Sequence, residues 1–393
     1  FATIIRNLFT RCLFISTQVP VARYTMSTVP TDDQSTIKRP RNEKCYAIFE
    51  KLGSPKYGVA PMVDASELPF RMLCRKYGAT MAWTPMFHSR LFAEQKKYRE
   101  KIFTTCPEDR PLAVQFCAND PAILLQAAKL VEDQCDAIDI NLGCPQHIAR
   151  RGNYGAFLGE QWDIVKSLIE VLVQNIKIPV FCKIRILDTH ERTIEYAKMI
   201  EAAGCSLLTV HGRTKEQKGH NQGVANLEWI RDIKNALSIP VLSNGNIRTY
   251  EEAQEALRIT QADGVMAACG LLVNPALFSG LEIAPCDIAL EYLDFSRKYP
   301  VEYHMVRAHL YKYLNNLFRV HTDLRDALHK ARGIEDCQKI VEELRARVES
   351  STKEQIQEEI DGAISAHKEK RKKEKETCAV APEEPGANID SLF

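Results

Sequence analysis

Short, unbroken apolar runs alternate with segments of helical periodicity between residues 57 and 269. Such runs are typical of parallel strands buried on both faces, and the segments between them repeat apolar residues at helical spacing. The sequence predicts strands at 57–63, 81–86, 112–116, 137–142, 179–185, 207–211, 240–245 and 264–269. It predicts helices near 66–76, 121–134, 161–175, 190–203, 226–237 and 249–260.

Eight strands that alternate with helices over roughly 220 residues predict an α/β fold, a closed (β/α)8 TIM barrel. An open doubly wound sheet is the alternative, but the chain reads APMVDAS after the first strand and lacks that fold's glycine fingerprint. Beyond the barrel the helical period continues without a strand, which predicts a small all-helical domain. We therefore divide the chain into four parts: a disordered or targeting lead-in (1–45), a barrel (46–284), a helical domain (285–350), and a charged helix with a disordered tail (351–393).

Composition narrows the class of protein. Of 393 residues, 45% are hydrophobic and 26% are charged, as in soluble globular proteins. Lysine and arginine total 52 against 51 acidic residues, which argues against a wholly basic nucleic-acid binder but allows one basic face. No apolar run reaches 18 residues, so we expect no membrane-spanning helix. The 13 cysteines contain no CxxC pair, so we expect no metal site, and their odd number favours a reducing compartment.

The first 30 residues contain no Asp or Glu and include Arg6, Arg11 and Arg23, a composition typical of a mitochondrial transit peptide. The alternative is that translation starts at Met26 and that the stretch before it is not native. We expect a cytoplasmic or nuclear protein, and a mitochondrial one if residues 1–25 are native.

Polar residues collect where the predicted strands end. In a (β/α)8 barrel the carboxyl ends of the strands meet at one rim, which carries the catalytic and ligand-binding groups. The rim residues, in chain order, are Gln115, Asn141, Cys144, Lys183, Arg185, His211, Arg213, Asn244, Gly245, Asn246, Ala268, Cys269 and Gly270. A purely structural barrel does not need such a rim, so the sequence predicts a ligand site there.

The chemistry of these side chains favours FMN over a dinucleotide. Amide side chains offer donors and acceptors that match the edge of a heterocycle. Lys183 offers a cation, and His211 can donate to an anionic oxygen. The turn at 244–246 and the loop at Gly270 offer backbone N–H groups at the last two strands, where barrel enzymes hold a phosphate. An isoalloxazine ring with a single phosphate fits this set.

Cys144 differs from the other cysteines in its position. Most of the others lie inside apolar runs, as Cys117 does, whereas Cys144 lies between a glycine and a proline after a strand. For a cysteine taken alone, a packed structural role is the default. Lys183 and His211, predicted at the same rim, favour a nucleophile or an acid instead. Cys269 follows an apolar strand and is closer to a structural cysteine.

Several long segments resemble the tRNA-dihydrouridine synthases and occur in that family's order between about 57 and 280. They are APMVDASELPFRMLCRKYGA, PLAVQFCANDP, DAIDINLGCPQHIARRGNYGAFL, VFCKIRI, TVHGRT and PVLSNGNI. NLGCPQ, HGRTKEQKG and NPALF resemble the eukaryotic branch that acts on positions 16 and 17 of the D-loop, and YHMVRAHLYK extends the likeness to about 350. The resemblance implies an FMN-containing barrel, a helical RNA-binding domain, tRNA as the partner and NADPH as the reductant.

The resemblance also implies roles for single residues, with Cys144 as the catalytic acid. The flavin would be held by Pro61, Met62, Val63, Gln115, Lys183, His211, Asn244, Gly245, Asn246, Ala268 and Cys269. We expect the substrate base and the RNA to meet Asn141, Arg185, Arg213, Lys218, His304, Arg307, Tyr311 and Lys312. Before the glycine of its eighth-strand motif the family usually has Arg or Glu, whereas this chain has Cys269. A phosphate site that relied on Arg at this position would be weakened.

His304, Arg307 and Tyr311 recur at helical spacing, so they share one face that suits phosphates and stacked bases. An ordinary solvated helix face is the alternative interpretation. The lysine-rich run at 367–376 is either a nuclear localisation signal, an extra RNA tether or a solvated helix end.

Reduction of the C5–C6 bond of uracil requires a hydride at C6, expected from reduced FMN, and a proton at C5. A thiol of ordinary pKa, about 8.5, is protonated at neutral pH and can supply that proton. The base must leave its stack in the RNA to reach the barrel. One alternative is an FMN barrel acting on a free pyrimidine, which would not need the basic helical domain. Another is a non-catalytic tRNA-binding protein, against which the presence of Cys144, Lys183 and His211 argues. We expect a monomer with no obligate protein partner.

Overall fold

A computed structural model describes residues 40–351 and 353–378. The chain divides into two compact units, the first ending at Glu282 and the second beginning at Ile283. The strands, all in the first unit, are β1 (Tyr57–Val59), β2 (Met81–Trp83), β3 (Phe87–His88), β4 (Leu112–Cys117), β5 (Ala137–Leu142), β6 (Val180–Arg185), β7 (Leu207–His211), β8 (Val241–Asn244) and β9 (Gly264–Ala267).

Eight of these strands close into a parallel barrel. Around the ring β4 to β9 pair in chain order, β9 pairs with β1, β1 with β2, and β2 with β4. The two-residue strand β3 pairs only with the end of β4 and was not predicted. The closed ring confirms the predicted (β/α)8 barrel and excludes the open sheet.

Helices flank and connect the strands of the first unit. They are α1 (Glu43–Lys51), α2 (Leu68–Lys76), α3 (Ser89–Glu94), α4 (Lys96–Ile102), α5 (Pro121–Lys129), α6 (His147–Arg151), α7 (Trp162–Asn175), α8 (His190–Ala202), α9 (Leu227–Ala236), α10 (Tyr250–Thr260) and α11 (Cys269–Val273). Side-chain caps begin several of them, as where Asp120 accepts from the N–H groups of Ala122 and Ile123 at the start of α5.

Strand residues alternate between two apolar clusters. The outward-facing residues of β4 to β8, such as Ile138, Ile140 and Cys182, pack against the covering helices. The alternate residues nearest the amino ends, such as Ala137 and Phe181, form a second cluster inside the barrel. Since successive side chains of a strand point to opposite faces, the next inward positions lie above this apolar plug. Those positions are polar, and they form the site described below.

Proline explains where two strands stop. The strand predicted at 57–63 ends at Val59, and the second strand also ends early, at Trp83. Pro61 and Pro85 follow shortly after these ends, and proline has no N–H to donate to a neighbouring strand. The released segments become loops at the rim of the barrel.

The lead-in predicted over 1–45 is too long by a few residues. Helix α1 already begins at Glu43, because the Asn42 side chain accepts a hydrogen bond from the Cys45 N–H and caps the first turn. The remainder of the predicted lead-in and targeting segment, 1–39, and the predicted disordered tail from 379 onward lie outside the described residues.

The second unit is helical wherever it is described. Its helices are α12 (Pro285–Lys298), α13 (Tyr303–Tyr313), α14 (Leu317–Val320), α15 (Thr322–Lys330), α16 (Ile334–Glu349) and α17 (Lys353–Cys378). The buried Tyr292 of α12 packs against His309 of α13, with ring centroids 4.7 Å apart and the ring planes tilted by 49°. The expected charged helix is α17, and it contacts α14. Neither described segment of the chain contains a helix long and apolar enough to cross a membrane.

Candidate active site

The inward positions above the apolar plug form a polar lining at the carboxyl end of the barrel. Strand register places Asn141 opposite Lys183, Arg185 opposite His211, and His211 opposite Asn244. The residues expected at the rim on β4 to β8 therefore face one interior. The alternation that buries Ala137 and Phe181 is the same one that turns these polar side chains inward.

A chain of hydrogen bonds connects the deepest of these groups to the loop after β5. Gln115 Nε2 donates to Asp139 Oδ2 at 2.7 Å, and Asn141 Nδ2 donates to Gln115 Oε1 at 2.7 Å. Asn141 Oδ1 in turn accepts the backbone N–H groups of Gly143 at 3.1 Å and Cys144 at 2.9 Å. Asn141, expected to meet the substrate, thus shapes the loop of Cys144.

Asp139 is the main residue that the sequence interpretation missed. It is fully buried, and burial raises its pKa to about 7, although the Gln115 hydrogen bond and the Lys183 charge oppose the rise. Its Oδ1 has no partner of hydrogen-bonding geometry among the described residues, and neither has the nearby Trp83 Nε1. Its position two residues before Asn141 on the same strand was the available signal, because alternation points both side chains inward.

The loop after β5 holds Cys144 half-buried at the rim. The Ala156 N–H donates to the Cys144 carbonyl at 3.1 Å, and Gly155, at φ +66°, packs directly against Cys144. Burial raises the pKa of the Cys144 thiol, outweighing the lowering by a backbone hydrogen bond from Gln146 and by nearby cations. At neutral pH this side chain is therefore a thiol that can donate a proton.

Two expected substrate residues brace this loop. Arg185 Nε donates to the Gly143 carbonyl at 2.9 Å, and its Nη1 donates to the carbonyls of Thr214 at 2.9 Å and Gln217 at 3.3 Å. Lys218 Nζ donates to the carbonyl of Pro145 at 2.6 Å. Arg185 and Lys218 thus fasten the loop after β7 to the loop of Cys144.

Lys183 lies between Asp139 and Asn244 in the barrel lining. Its Nζ donates to Asn244 Oδ1 at 2.9 Å, and Asn244 Nδ2 donates to the Met266 carbonyl. Burial and, to a smaller extent, the Arg185 charge lower the pKa of Lys183 to about 8, and Asp139 opposes this shift. The ammonium has three hydrogens, so two remain for a ligand after the bond to Asn244.

The imidazole of His211 is neutral and in a defined tautomer. Burial lowers its pKa well below the ordinary value, and the charges of Lys183, Arg185 and Arg213 act in the same direction. Arg213 Nη1 lies 3.0 Å from His211 Nε2, and because a guanidinium only donates, Nε2 accepts. The proton of His211 is therefore on Nδ1, from which it can be donated to a ligand.

Arg213 and Asn246, expected at the RNA and at the phosphate, are both tied to the protein itself. Arg213 is buried and donates to Asn246 Oδ1 at 2.7 Å and to the Gly223 carbonyl at 3.0 Å. The amide of Asn246 also binds the backbone of Ala225. Its Oδ1 accepts the Ala225 N–H, and its Nδ2 donates to the Ala225 carbonyl, both at 3.0 Å. Any phosphate at this turn would have to rely on backbone N–H groups and on the charge of Arg213.

The residues expected at the last strand lie where α11 begins. The strand predicted at 264–269 ends at Ala267, and Cys269 is the exposed first residue of α11. The helix can lie there because Gly270 has no side chain: a Cβ on it would lie 2.5 Å from the Ile247 carbonyl oxygen. Ala268, half-buried, joins the strand to this helix.

The loop after β1 presents the expected flavin-lining residues Pro61, Met62 and Val63. The hydroxyl of Ser66 accepts the Met62 N–H at 3.0 Å and donates to the Met62 carbonyl at 3.1 Å. Asp64 takes φ +54°, and Val63 is 58% exposed. The loop therefore offers apolar side chains at the rim, and their contact with a flavin remains a prediction.

The candidate RNA residues of the second unit lie together on α13. Arg307 Nη1 donates to the His329 carbonyl at 3.0 Å, and the Tyr311 hydroxyl donates to the Arg325 carbonyl at 3.3 Å. His304 is exposed and Lys312 is half-exposed. This face of α13 is consequently accessible in part, and Arg307 and Tyr311 use polar groups of it to hold α15.

Comparison with known proteins identifies the family. A family model described as dihydrouridine synthase (Dus) matches residues 58–370. A Rattus norvegicus protein named tRNA-dihydrouridine(16/17) synthase-like is 48% identical over 298 residues, 75% of this chain and 68% of that one. Proteins named tRNA-dihydrouridine(16/17) synthase match at 44% identity in Schizosaccharomyces pombe (80% of this chain, 84% of that one) and 46% in Saccharomyces cerevisiae (72% and 70%). The chain spans about two thirds of the length of its rodent relatives. With the closed barrel and the NLGCP loop after β5, these matches show that the chain belongs to the dihydrouridine synthase family.

Proposed function

We propose that this protein reduces uridine to 5,6-dihydrouridine at positions 16 and 17 of the tRNA D-loop, as a monomer that uses FMN and NADPH. The names of the relatives support the substrate and the positions. The observation that carries the proposal is the position of Cys144, half-buried at the mouth of a barrel lined by Lys183 and His211, where burial raises the pKa of its thiol. A proton donor above a polar interior is what reduction of a pyrimidine double bond requires of the protein.

The residues of the lining fit an isoalloxazine ring. Gln115 Nε2 has a second hydrogen beyond the one it donates to Asp139, Lys183 has two unused hydrogens, and His211 presents Nδ1–H. All three are donors, which suits the electron-rich N1 and O2 edge of a reduced flavin. When bound, FMN supplies the hydride for C6 of the pyrimidine. The apolar loop of Met62 and Val63 supplies a wall for the ring.

Cys144 holds the proton for C5 of the base. Its raised pKa keeps the thiol protonated, and its loop is fixed from both sides by Arg185 and Lys218. Fixed geometry matters because a misplacement of about 1 Å can slow a reaction about 100-fold. The charges of Arg185 and Lys183 near Cys144 also stabilise the thiolate left after the proton has been transferred.

RNA meets the barrel directly after Cys144. The segment 146–151 is exposed except for Ala149, and it carries Arg150, Arg151 and the 65% exposed Ile148. Arginines bind phosphates, and an apolar side chain beside the mouth can take the place of a base that has left its stack. In the second unit the α13 face of His304, Arg307, Tyr311 and Lys312 is the proposed additional RNA contact.

Turnover on defined substrates tests the proposal. The full chain is supplied with FMN and NADPH and offered unmodified tRNA or free uridine, and dihydrouridine is measured by mass spectrometry and mapped along the tRNA. We expect product at 16 and 17 from tRNA and none from free uridine. Product from free uridine at a comparable rate would instead indicate a free-pyrimidine reductase. Protein that binds no FMN and forms no product would indicate a non-catalytic tRNA binder.

Substitution of the thiol tests the acid. Cys144→Ala should bind FMN normally and be reduced by NADPH normally, yet form product at least about 100-fold more slowly, the usual contribution of a general acid. Cys106→Ala, a half-buried cysteine that contacts Met72 away from the rim, is the matched control. Near-normal turnover of Cys144→Ala on tRNA would refute the assignment.

A further inference from the structure

We propose that Asp139 is a positioning residue that fixes the amides of Gln115 and Asn141 and, through them, the loop of Cys144. The effect of Asp139 on catalysis rests on the proposed function, whereas its effect on the position of the Cys144 loop does not. Asp139 acts on Cys144 at a distance, through three successive hydrogen bonds that run by way of the Gln115 and Asn141 amides.

The direction of the hydrogen bonds along this chain is set at its two ends. Below Gln115 the Asp139 oxygen accepts from the amide nitrogen of Gln115, which is the only role open to it when the carboxyl group is ionised. The oxygen of Gln115 then faces Asn141 and requires its nitrogen, which leaves the oxygen of Asn141 for the backbone. Above Asn141 the N–H groups of Gly143 and Cys144 only donate, and they require that oxygen. One arrangement satisfies every group, and rotation of either amide would put two donors or two acceptors together.

Stability alone does not account for Asp139. The residue is 0% exposed, and its Oδ1 has Trp83 Nε1 nearby but no hydrogen bond of good geometry, so Gln115, Lys183 and Trp83 together do not offset its desolvation. A buried carboxyl oxygen without a partner destabilises a fold, and replacement of such a group by an apolar one of similar size is often neutral or stabilising. On the adjacent strand β6 the residue paired with Asp139 is the apolar Phe181, and the cation Lys183 lies one inward position nearer the rim. A carboxylate at this place is explained by what it orients.

Chemical labelling of Cys144 tests the chain of bonds without turnover. The full-length protein with FMN removed is alkylated with iodoacetamide, and modification of Cys144 is followed by peptide mass spectrometry. Asp139→Leu removes the acceptor at similar volume, so the amides can rotate and the loop loses its fixed position. We expect Cys144 to be alkylated about tenfold faster as local opening becomes easier. Asp139→Asn keeps an oxygen for Gln115 and should restore the wild-type rate.

A double-mutant cycle separates positioning from a general loss of structure. Asn141→Ala cuts the chain beyond Gln115, so Asp139→Leu should add little to its effect on labelling, whereas independent effects would add. Thr209→Val, an equally buried inward position on β7, is the matched control and should label like wild type. Wild-type labelling of Asp139→Leu, or full additivity with Asn141→Ala, would overturn the proposal. Should Asp139→Leu fail to fold, Gln115→Leu breaks the chain one residue later, with the same expected and overturning results.

Activity measurements then separate this proposal from the proposed function. With FMN, NADPH and tRNA, Asp139→Leu should lower kcat about tenfold with little change in the KM for tRNA, because the loop that holds the acid is displaced. If labelling changes as expected but no variant or wild type forms dihydrouridine, the proposed function fails and the positioning role stands. If wild type is active and labelling is unaffected by Asp139→Leu, the positioning role fails alone.

Discussion

Replacement of Gly155 by alanine should damage the reaction far more than the fold. Gly155 begins the 3-10 helix Gly155–Glu160 at φ +66°. A Cβ at this position would lie 2.8 Å from the Cys144 carbonyl oxygen and 2.9 Å from the Cys144 Cβ. Carbon atoms of folded proteins do not approach so closely without movement, so the loop of the proposed acid must shift.

The size of the effect follows from two separate causes. The left-handed backbone conformation costs an alanine roughly 1 kcal/mol relative to glycine. Overpacking by one methyl group adds about 1–3 kcal/mol if the neighbours give way only in part. A domain of ordinary stability, about 5–15 kcal/mol, survives this loss. Displacement of the thiol by several tenths of an ångström, in contrast, should slow proton transfer about 10- to 100-fold.

Gly53→Ala provides the matched control. Gly53 also has a positive φ, +83°, but a Cβ there would meet nothing within 4 Å. Both variants are unfolded in urea and assayed on tRNA, and FMN content is recorded by absorbance. Gly53→Ala should lose about 1 kcal/mol of unfolding free energy and keep its turnover. If Gly155→Ala matches Gly53→Ala in both measurements, close packing of Gly155 against Cys144 does not fix the position of the thiol.

Three further outcomes are expected. Asp109→Ala should lose about 3–5 kcal/mol of unfolding free energy in urea, because it removes the carboxylate that forms a 2.6 Å ion pair with the buried Arg71. A loss under 1 kcal/mol would contradict this. The affinity for FMN, measured by fluorescence titration, should fall as the pH rises through about 8, because Lys183 loses its proton there. Lys183→Arg should move this fall to higher pH. If the wild-type affinity does not change between pH 7 and pH 9, Lys183 does not make the proposed contact. Arg150→Glu with Arg151→Glu should raise the KM for tRNA about tenfold or more by repelling phosphates, with unchanged NADPH oxidation in the absence of RNA; an unaltered KM would remove 146–151 from the RNA-binding surface.

The barrel was predictable because its signal is redundant. Each of the eight apolar runs independently indicates a strand that is buried on both faces. Errors of a few residues in the predicted strand ends, as at Trp83 and Ala267, therefore do not change the topology. The rim followed from the topology, since every parallel strand ends on the same side. Asn141, Lys183 and His211 could therefore be assigned to one site from their place after strands, and the register confirms that they face one interior.

Which rim groups point at a ligand could not be predicted. Arg213 and Asn246 are polar, follow strands and belong to the loops of the site, yet they bind each other and the protein backbone. Their partners come from loops far apart in sequence, and the choice depends on distances of a few tenths of an ångström that no periodicity records. Asp139 illustrates the opposite case: alternation from Asn141 was sufficient to place it inside the barrel, but an aspartate inside an apolar strand was not weighed as a functional residue.

Burial favours the proposed role of Cys144 as an acid over that of a nucleophile. The cations Arg185, Lys183 and Lys218 all lower the pKa of its thiol, and in an open site they would favour a reactive thiolate. Desolvation by the packed loop outweighs them, so in the proposed reaction the thiol keeps its proton until negative charge develops at C5 of the uracil. The same cations then stabilise the thiolate that remains. The two influences therefore act at different stages, which explains why the loop is fastened by Arg185 and Lys218 rather than by neutral side chains alone.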